Sequence, residues 1–280
     1  GRQRTAVGMV GNDGRVDASR SEALPGVASI IHVTQPYKQV SREWKNENTI
    51  VEVAPGFVIG GSSVAIIGGP CSVESEEQII RAAQVVRDAG GTALRGGAFK
   101  PRTSPYSFQG LGEDGLRFLA EARAATGLPI ITEIMDTRDL ALMEKYTDCL
   151  QIGSRNMQNF ALLKEVGRSR LPVMLKRGFS ATINDLLMSA EYILSEGNPH
   201  VLRCERGIRT FETKTRNTTE RYAVPSVNAK TRLPGVDDPH HGTGQRGVSP
   251  KRATAAGPAG AERREPEEKR RHGQTGRDGG

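Results

Sequence analysis

No stretch of the 280-residue chain approaches the roughly 18 apolar residues that a membrane span needs. The opening "GRQRTAVGMV" carries no signal-peptide apolar core. Cysteine is scarce: Cys71, Cys149 and Cys204 are odd in number and widely spaced. That argues against a disulfide framework and fits a reducing compartment, so the expectation is a soluble cytoplasmic protein with no membrane partner. No Gly-x-Gly-x-x-Gly follows any apolar run, which weakens a dinucleotide-binding reading. Large apolar residues fade toward the end. Residues 221–280 hold no Ile, Phe, Trp or Met and a single Leu, Leu233. The same stretch carries twelve Lys or Arg against seven Asp or Glu, so +5 of the net +7 lies there. A nucleic-acid tail and a solvated end are the two readings of such a segment. No aromatic follows Tyr222 to stack on bases, so the solvated end is preferred and no nucleic-acid partner is expected.

What the chain does have is a rhythm. Short apolar runs recur from Val64: "VAIIG" (64–68), "TALRG" (92–96), "PIITEI" (129–134), "CLQIG" (149–153), "PVMLK" (172–176), "VLRCE" (201–205) and, more weakly, "LPGVDD" (233–238). Amphipathic helical patterns separate most of them. "EEQIIRAAQVVRDAGG" sets Ile79, Ile80, Ala83 and Val86 on one face and stops at Gly-Gly; "GLRFLAEARAATG" and "INDLLMSAEYILSEGN" behave likewise. Strands apolar on both faces that alternate with helices predict a covered parallel sheet. Seven or eight such units over about 200 residues predict an α/β fold, a (β/α)8 TIM barrel. Before it, "RTAVGMVG" and "GVASIIHVTQ" read as strands around "DASRSEAL", a cut-down α+β unit. "YKQVSREWKNEN" reads as a polar linker and "TIVEVAPGFVIGG" as a hairpin.

Catalytic groups of such barrels sit at the C-terminal ends of the strands. Here those ends carry Cys71 after the first strand, Arg95, Lys100 and Arg102 in or after the second, and Glu133 in the third. Arg155 follows the fourth, Lys176 ends the fifth, Glu205-Arg206 end the sixth, and "DPHHGTG" follows the seventh. Six cations facing one mouth would repel, so they imply an anionic ligand, with phosphate suiting the Arg fork and the Lys point charge. Six exceed what one phosphate requires, which points to two phosphorylated substrates or one that also bears a carboxylate. The loop "FKPRTSPYSFQGLG" (99–112) is long and stiffened by two prolines, so its donors Lys100, Arg102, Thr103 and Ser104 are preorganised. Cys71 and His241 are a soft and borderline ligand pair that suits a divalent transition metal, though two such residues alone are a weak signal. Cys149 and Cys204 lie within apolar runs and read as core.

The segments "GPCSVES", "LRGGAFKPRTSPYSFQGLG", "ITEIMD", "QIGSRNMQNF", "LKRGFSATINDLLMSAEYI" and "CERGIRTFETKTRNT" together resemble 3-deoxy-D-arabino-heptulosonate-7-phosphate (DAHP) synthases. The form they resemble has a ferredoxin-like regulatory domain, and "RTAVGMVGND…LPGVASIIHVTQPYKQVSRE" resembles its second half. The resemblance implies residues 1–45 as a partial regulatory domain and linker, 46–245 as the catalytic barrel, and 246–280 as an atypical, irregular segment. It implies a condensation of phosphoenolpyruvate with erythrose 4-phosphate that releases phosphate and opens the shikimate pathway. Arg95, Lys100, Arg155, Lys176 and Arg206 would hold phosphoenolpyruvate, with Glu133 beside it and Lys100 assisting proton movement. Pro101, Arg102 and Thr103 would meet erythrose 4-phosphate. Cys71 and His241 would bind a divalent metal (Mn, Fe, Co or Zn), and a homo-oligomer, a tetramer, is implied.

The resemblance fails at the end. "LPGVDDPHHGTG" puts Gly235 and Asp237 inside the seventh strand and His240 where the family has Ser. From Ala261 the chain reads "AERREPEEKRRHGQTGRDGG", which lacks the apolar eighth strand and resembles the product of a shifted reading frame. The expectation is a barrel incomplete at its last strand. The family's remaining metal ligands, a Glu and an Asp, fall on Glu267 and Asp278 by an ungapped count, or on His272 for the second if "EPEE" is matched with a gap. Two alternatives accompany the synthase reading. One is 3-deoxy-D-manno-octulosonate-8-phosphate synthase, against which "KPRTSPYSF" argues, and the other is a catalytically impaired phosphate-binding barrel.

Overall fold

The structure, a computed structural model, describes Val7, Met9, residues 17–30, 35–212, 214, 216–219, 223–243 and, for the backbone, 263–264. Its centre is a ring of parallel strands: β3 (Ala65–Gly68), β4 (Ala93–Arg95), β5 (Ile130–Ile134), β6 (Cys149–Ile152), β7 (Val173–Lys176), β8 (Val201–Glu205) and β9 (Gly235–Asp237). All seven coincide with the apolar runs named above. A two-residue strand, β10 (Arg263–Arg264), closes the ring by pairing with both β3 and β9.

The connecting helices form where the sequence carries both a cap and an apolar stripe. In α2 (Glu76–Asp88) the Ser75 side chain accepts from the Gln78 N–H, Glu76 and Glu77 suit the positive helix start, and Ile79, Ala82, Ala83 and Val86 are buried. α3 (Glu113–Thr126) stops at Gly127, whose φ of +73° is left-handed. α4 (Leu140–Tyr146) and α5 (Phe160–Arg168) cover the next strands, and α6 (Ile183–Ser195) opens on a reciprocal Thr182/Asp185 capping box. α7 (Ala223–Lys230) and the short α8 (Pro239–Thr243) complete the described barrel. Among the described residues no helix is long and apolar enough to cross a membrane.

Side chains on a strand alternate faces, and that alternation builds two cores. Leu94, Ile130, Ile134, Leu150, Val173 and Leu175 point outward into the helices. Ile67, Ala93, Ile131, Cys149, Met174, Leu202, Cys204 and Val236 point inward and fill the ring. The hairpin of β1 (Val51–Ala54) and β2 (Phe57–Ile59) adds Val51, Val53 and Ile59 to this inner cluster, so it plugs the N-terminal end of the barrel. Two residues beyond the inward apolar layer the same alternation sets Arg95, Glu133, Gln151 and Lys176 at the C-terminal mouth.

Three sequence expectations are corrected. The segment "GVASIIHVTQ" was expected to be a strand, yet Val27–Ile30 form none, and residues 31–34 lie outside the described residues. The preceding strand also lies outside them apart from Val7 and Met9, which form none; between the two, α1 (Ala18–Glu22) forms, capped by Asp17. The polar "linker" is docked rather than loose. Tyr37 and Val40 are fully buried, and the N–H groups of Gln39 and Val40 both donate to the Glu191 carboxylate on α6, at 2.9 and 3.0 Å. Arg232 ties its other side by donating from Nε to the Gln39 carbonyl at 2.7 Å. The third, a barrel incomplete at its last strand, is corrected only in part: seven strands form as read, and the last place holds just the two residues of β10. The tail is polar, but a ladder is made by backbone N–H and C=O groups. Two open edges therefore pair with a strand of any side chain that reaches them.

Closure through β10 is testable. Replacing Arg263 and Arg264 together by proline removes backbone donors from the ladder. The expected loss is about 1–3 kcal/mol of unfolding free energy, read as a lower urea midpoint. An unchanged midpoint would show that β10 does not hold the ring.

Candidate functional site

A cleft of about 400 Å³ opens at the C-terminal mouth of the barrel. Its lining includes Cys71, Arg95, Lys100, Pro101, Arg102, Thr103, Glu133, Arg155, Lys176, Arg206 and His241, so eleven of the thirteen candidates from the sequence share one cavity. Glu267 and Asp278, and the alternative His272, lie outside the described residues. The cavity also contains Ser104, expected as a loop donor, and residues that the sequence reading did not single out: Ser107, Gln151, Gly153, Ser154, Phe179 and Arg216. Gln151 was findable, since it stands two residues after the inward Cys149 on β6. Arg216 sits in the long loop after β8, where no periodicity marks a residue's direction.

Two layers of interaction hold the charged groups. Asp238 is wholly buried just past β9, and its Oδ2 accepts from Lys176 Nζ at 3.0 Å and from His241 Nδ1 at 2.6 Å. The His241 backbone N–H donates to Asp238 Oδ1 at 2.9 Å. Burial alone would raise the Asp238 pKa, but His241, Lys176 and Arg95 together outweigh it and hold the carboxyl well below its usual range. The same contact raises His241 through the Asp238 charge, against the opposing effect of its own burial, with a hydrogen bond to Cys71 contributing. Neither Asp238 nor its role was apparent from the weak run "LPGVDD".

On the opposite wall Lys100 Nζ donates to the Cys71 carbonyl at 2.6 Å and to Cys71 Sγ at 2.9 Å. That leaves one of the three ammonium protons for the cleft. Gly97 makes this approach possible. A Cβ there would come within 2.6 Å of the Cys71 carbonyl oxygen and 2.9 Å of Lys100 Cδ. Gly153 does the same for Glu133, whose carboxylate occupies the space a Cβ would need. Gln151 Nε2 donates to Glu133 Oε2 at 3.3 Å. Behind the cleft Arg177 and Glu205 form a buried ion pair at 2.8 Å, and Glu205 Oε1 also accepts the Gly207 N–H at 2.7 Å. Burial lowers the Arg206 pKa, with Asp238 opposing and the neighbouring Arg216 adding to the shift.

The balance of the lining is strongly positive. Arg95, Lys100, Arg102, Arg155, Lys176, Arg206 and Arg216 face a cavity whose only carboxylate lining residue, among those described, is Glu133. Cys71 and His241 lie in hydrogen-bond contact. The carboxylate on His241 Nδ1 leaves Nε2 as the nitrogen available to a metal, the usual arrangement behind a ligating imidazole. Thiolate and imidazole together fit a divalent transition ion as two of its ligands. No cluster of three or more metal-ligating side chains occurs among the described residues. Cys149 and Cys204 stay in the inner core, and burial pushes the Cys149 thiol up to about 12, as befits apolar filling.

Fold and cleft define a class: a (β/α)8 barrel that gathers cationic side chains at its C-terminal mouth beside a thiol–imidazole pair. The DAHP synthetase I family matches residues 43–260, and the chain belongs to that family. It is 48% identical over 246 residues to the phospho-2-dehydro-3-deoxyheptonate aldolase of Thermotoga maritima, covering 88% of this chain and 72% of that one. The crystal structure of the DAHP synthase of T. maritima superposes with a TM-score of 0.81 at 45% identity, over 92% of this chain and 75% of that one. A 2-dehydro-3-deoxyphosphooctonate aldolase from Syntrophobacter fumaroxidans is more distant, at 30% identity over 54% of this chain and 55% of its own.

Cys71→Ser should lower bound metal, measured by elemental analysis after loading and desalting, by at least about tenfold. Cys149→Ser should keep the parent's metal content and instead lower the melting temperature, because it puts a hydroxyl among apolar side chains. Equal metal content in Cys71→Ser and the parent would remove Cys71 from the ligand set.

Proposed function

We propose that the barrel mouth is where this chain, a DAHP synthase (3-deoxy-7-phosphoheptulonate synthase, EC 2.5.1.54), joins phosphoenolpyruvate to erythrose 4-phosphate. The observation that carries the proposal is that seven guanidinium and ammonium groups line one 400 Å³ cleft whose only carboxylate lining residue, among those described, is Glu133. Arg95, Lys100, Arg155, Lys176 and Arg206 hold phosphoenolpyruvate through its phosphate and carboxylate. Pro101, Arg102 and Thr103, on the loop at the rim, meet the phosphate end of erythrose 4-phosphate. Glu133 lies beside the phosphoenolpyruvate site, its carboxylate steadied by Gln151.

C3 of phosphoenolpyruvate gives its double-bond electrons to the aldehyde carbon, water adds at C2, and the C2–O bond to the departing phosphate breaks; negative charge develops on the aldehyde oxygen and a proton must reach it. Lys100 supplies that proton from the Nζ that Cys71 holds at the cleft wall. Cys71 and His241 would hold a divalent ion, with Glu267 and Asp278 as its further ligands; the chemistry such an ion supplies is Lewis-acid polarisation of the aldehyde. Asp238 keeps His241 oriented and neutralises Lys176 in the absence of substrate.

The sequence division carries over as a proposal: residues 1–45 a partial ferredoxin-like regulatory unit, 46–245 the catalytic barrel, 246–280 an atypical end. The short capped helix α1 supports the first part. A homotetramer follows from the family resemblance. A cytoplasmic setting is supported by Cys71, Cys149 and Cys204, which form no disulfide among the described residues. The octulosonate-forming reaction stays the second reading, because relatives with that activity align over half the chain. The acceptor separates them: a four-carbon sugar phosphate for the first and a five-carbon one for the second. Preferential turnover of the five-carbon acceptor would overturn the first.

Arg155→Ala and Lys176→Ala each remove a charge-assisted bond worth about 1.5–3 kcal/mol. Phosphoenolpyruvate affinity by calorimetry should fall roughly ten- to a hundredfold in each. Parent-like affinity in both would sink the clamp.

A further inference from the structure

One aromatic ring stands among three guanidiniums at the cleft wall. Phe179, in the loop after β7, is half-buried and lines the cavity. The guanidinium carbon of Arg206 lies 4.6 Å from its ring centroid, that of Arg209 4.9 Å and that of Arg155 5.5 Å. Arg155 follows β6, whereas Arg206 and Arg209 follow β8, so the ring bridges the loops on either side of its own. Three like charges around one point repel. The negative face of the ring offsets part of that repulsion and favours guanidiniums that lie against it. Among the described residues Nη1 of Arg206 is buried without a hydrogen-bond partner, and the ring is a contact that the structure gives that guanidinium.

The ring cannot swing aside cheaply. The Arg177 N–H donates to the Cys204 carbonyl at 3.0 Å, and the Gly178 N–H donates to Met157 Sδ at 3.0 Å. The Phe179 carbonyl itself accepts the Arg209 N–H at 2.7 Å. Arg177 is fixed further by its ion pair with Glu205. A phenyl side chain on such a backbone has two torsions to order, far fewer than the arginines it faces.

We infer that Phe179 is a positioning residue of the anion clamp: it touches no reacting atom, and it holds Arg155 and Arg206 in the orientation that receives phosphoenolpyruvate. The inference rests on the proposed role of those two arginines. It makes a distinction that mere space filling does not, because the ring's electrons matter and not only its volume.

The test uses the full chain and phosphoenolpyruvate binding by calorimetry, so it does not depend on turnover. Phe179→Leu keeps apolar bulk and removes the ring, and affinity should fall about tenfold with little change in melting temperature. Phe179→Tyr restores a ring and should recover most of that loss. In an Arg155→Ala background Phe179→Leu should cost clearly less than it does alone, because part of its effect has already gone. If Arg155→Ala binds at least tenfold more weakly while Phe179→Leu binds like the parent, the inference falls and the clamp stands. If both bind like the parent, the clamp reading falls and takes the inference with it. If Tyr is as poor as Leu, or if the two losses simply multiply, Phe179 is only filler. Should the Leu variant fail to fold, Phe179→Met is read in the same way.

Discussion

Side chains two apart on a strand share a face, and most of this molecule follows from that constraint. Each strand of the ring is only two to five residues long. An inward position in the middle of the barrel is therefore followed two residues later by an inward position at its mouth. Ala93 leads to Arg95, Ile131 to Glu133, Cys149 to Gln151, and Met174 to Lys176. The dry core and the charged cleft are successive layers of the same strands, so the site is aimed by elements that the core itself holds rigid. Catalytic groups borne on so rigid a support keep their spacing without substrate.

That arrangement has an electrostatic cost, since ammonium and guanidinium groups are gathered in a partly buried space. The chain offsets it with a few carboxylates placed behind or beside the cleft. Asp238 accepts from Lys176 and His241, Glu205 pairs with Arg177, and Phe179 spreads its ring against three arginines. Arginines such as Arg95 and Arg206 remain aimed inward beside these groups. In the proposed function a ligand with two or three negative charges would complete the balance, which would link anion binding to the stability of the mouth.

The opposite end of the barrel solves a different problem. Its inner apolar layer would meet water there, and the β1–β2 hairpin covers it with Val51, Val53 and Ile59. The segment before the hairpin is anchored by main-chain donors on Glu191 and by Arg232, which joins it to α6 and to the approach to β9. Polar composition concealed this docking, because the anchoring groups are backbone amides that every residue carries.

Sequence alone determined the seven longer barrel strands, the three helices α2, α3 and α6, and the mouth at which Cys71, Lys100, Arg155, Lys176 and Arg206 gather. Those features depend on local periodicity and on the turn residues that end each run, both of which are written in consecutive residues. Only the tertiary structure decided the rest. Asp238 became the partner of Lys176 because β9 lies two places from β7 in the ring, a relation 62 residues apart in the chain. Gly97 and Gly153 matter for the groups that come close to them from other strands, the Cys71 carbonyl after β3 and the Glu133 carboxylate on β5. Phe179 acquired its three arginines from neighbouring loops, and Arg263–Arg264 became a strand because β3 and β9 left edges for a backbone of any composition. Periodicity reports which way a residue faces, whereas what it meets there is fixed only when the ring closes.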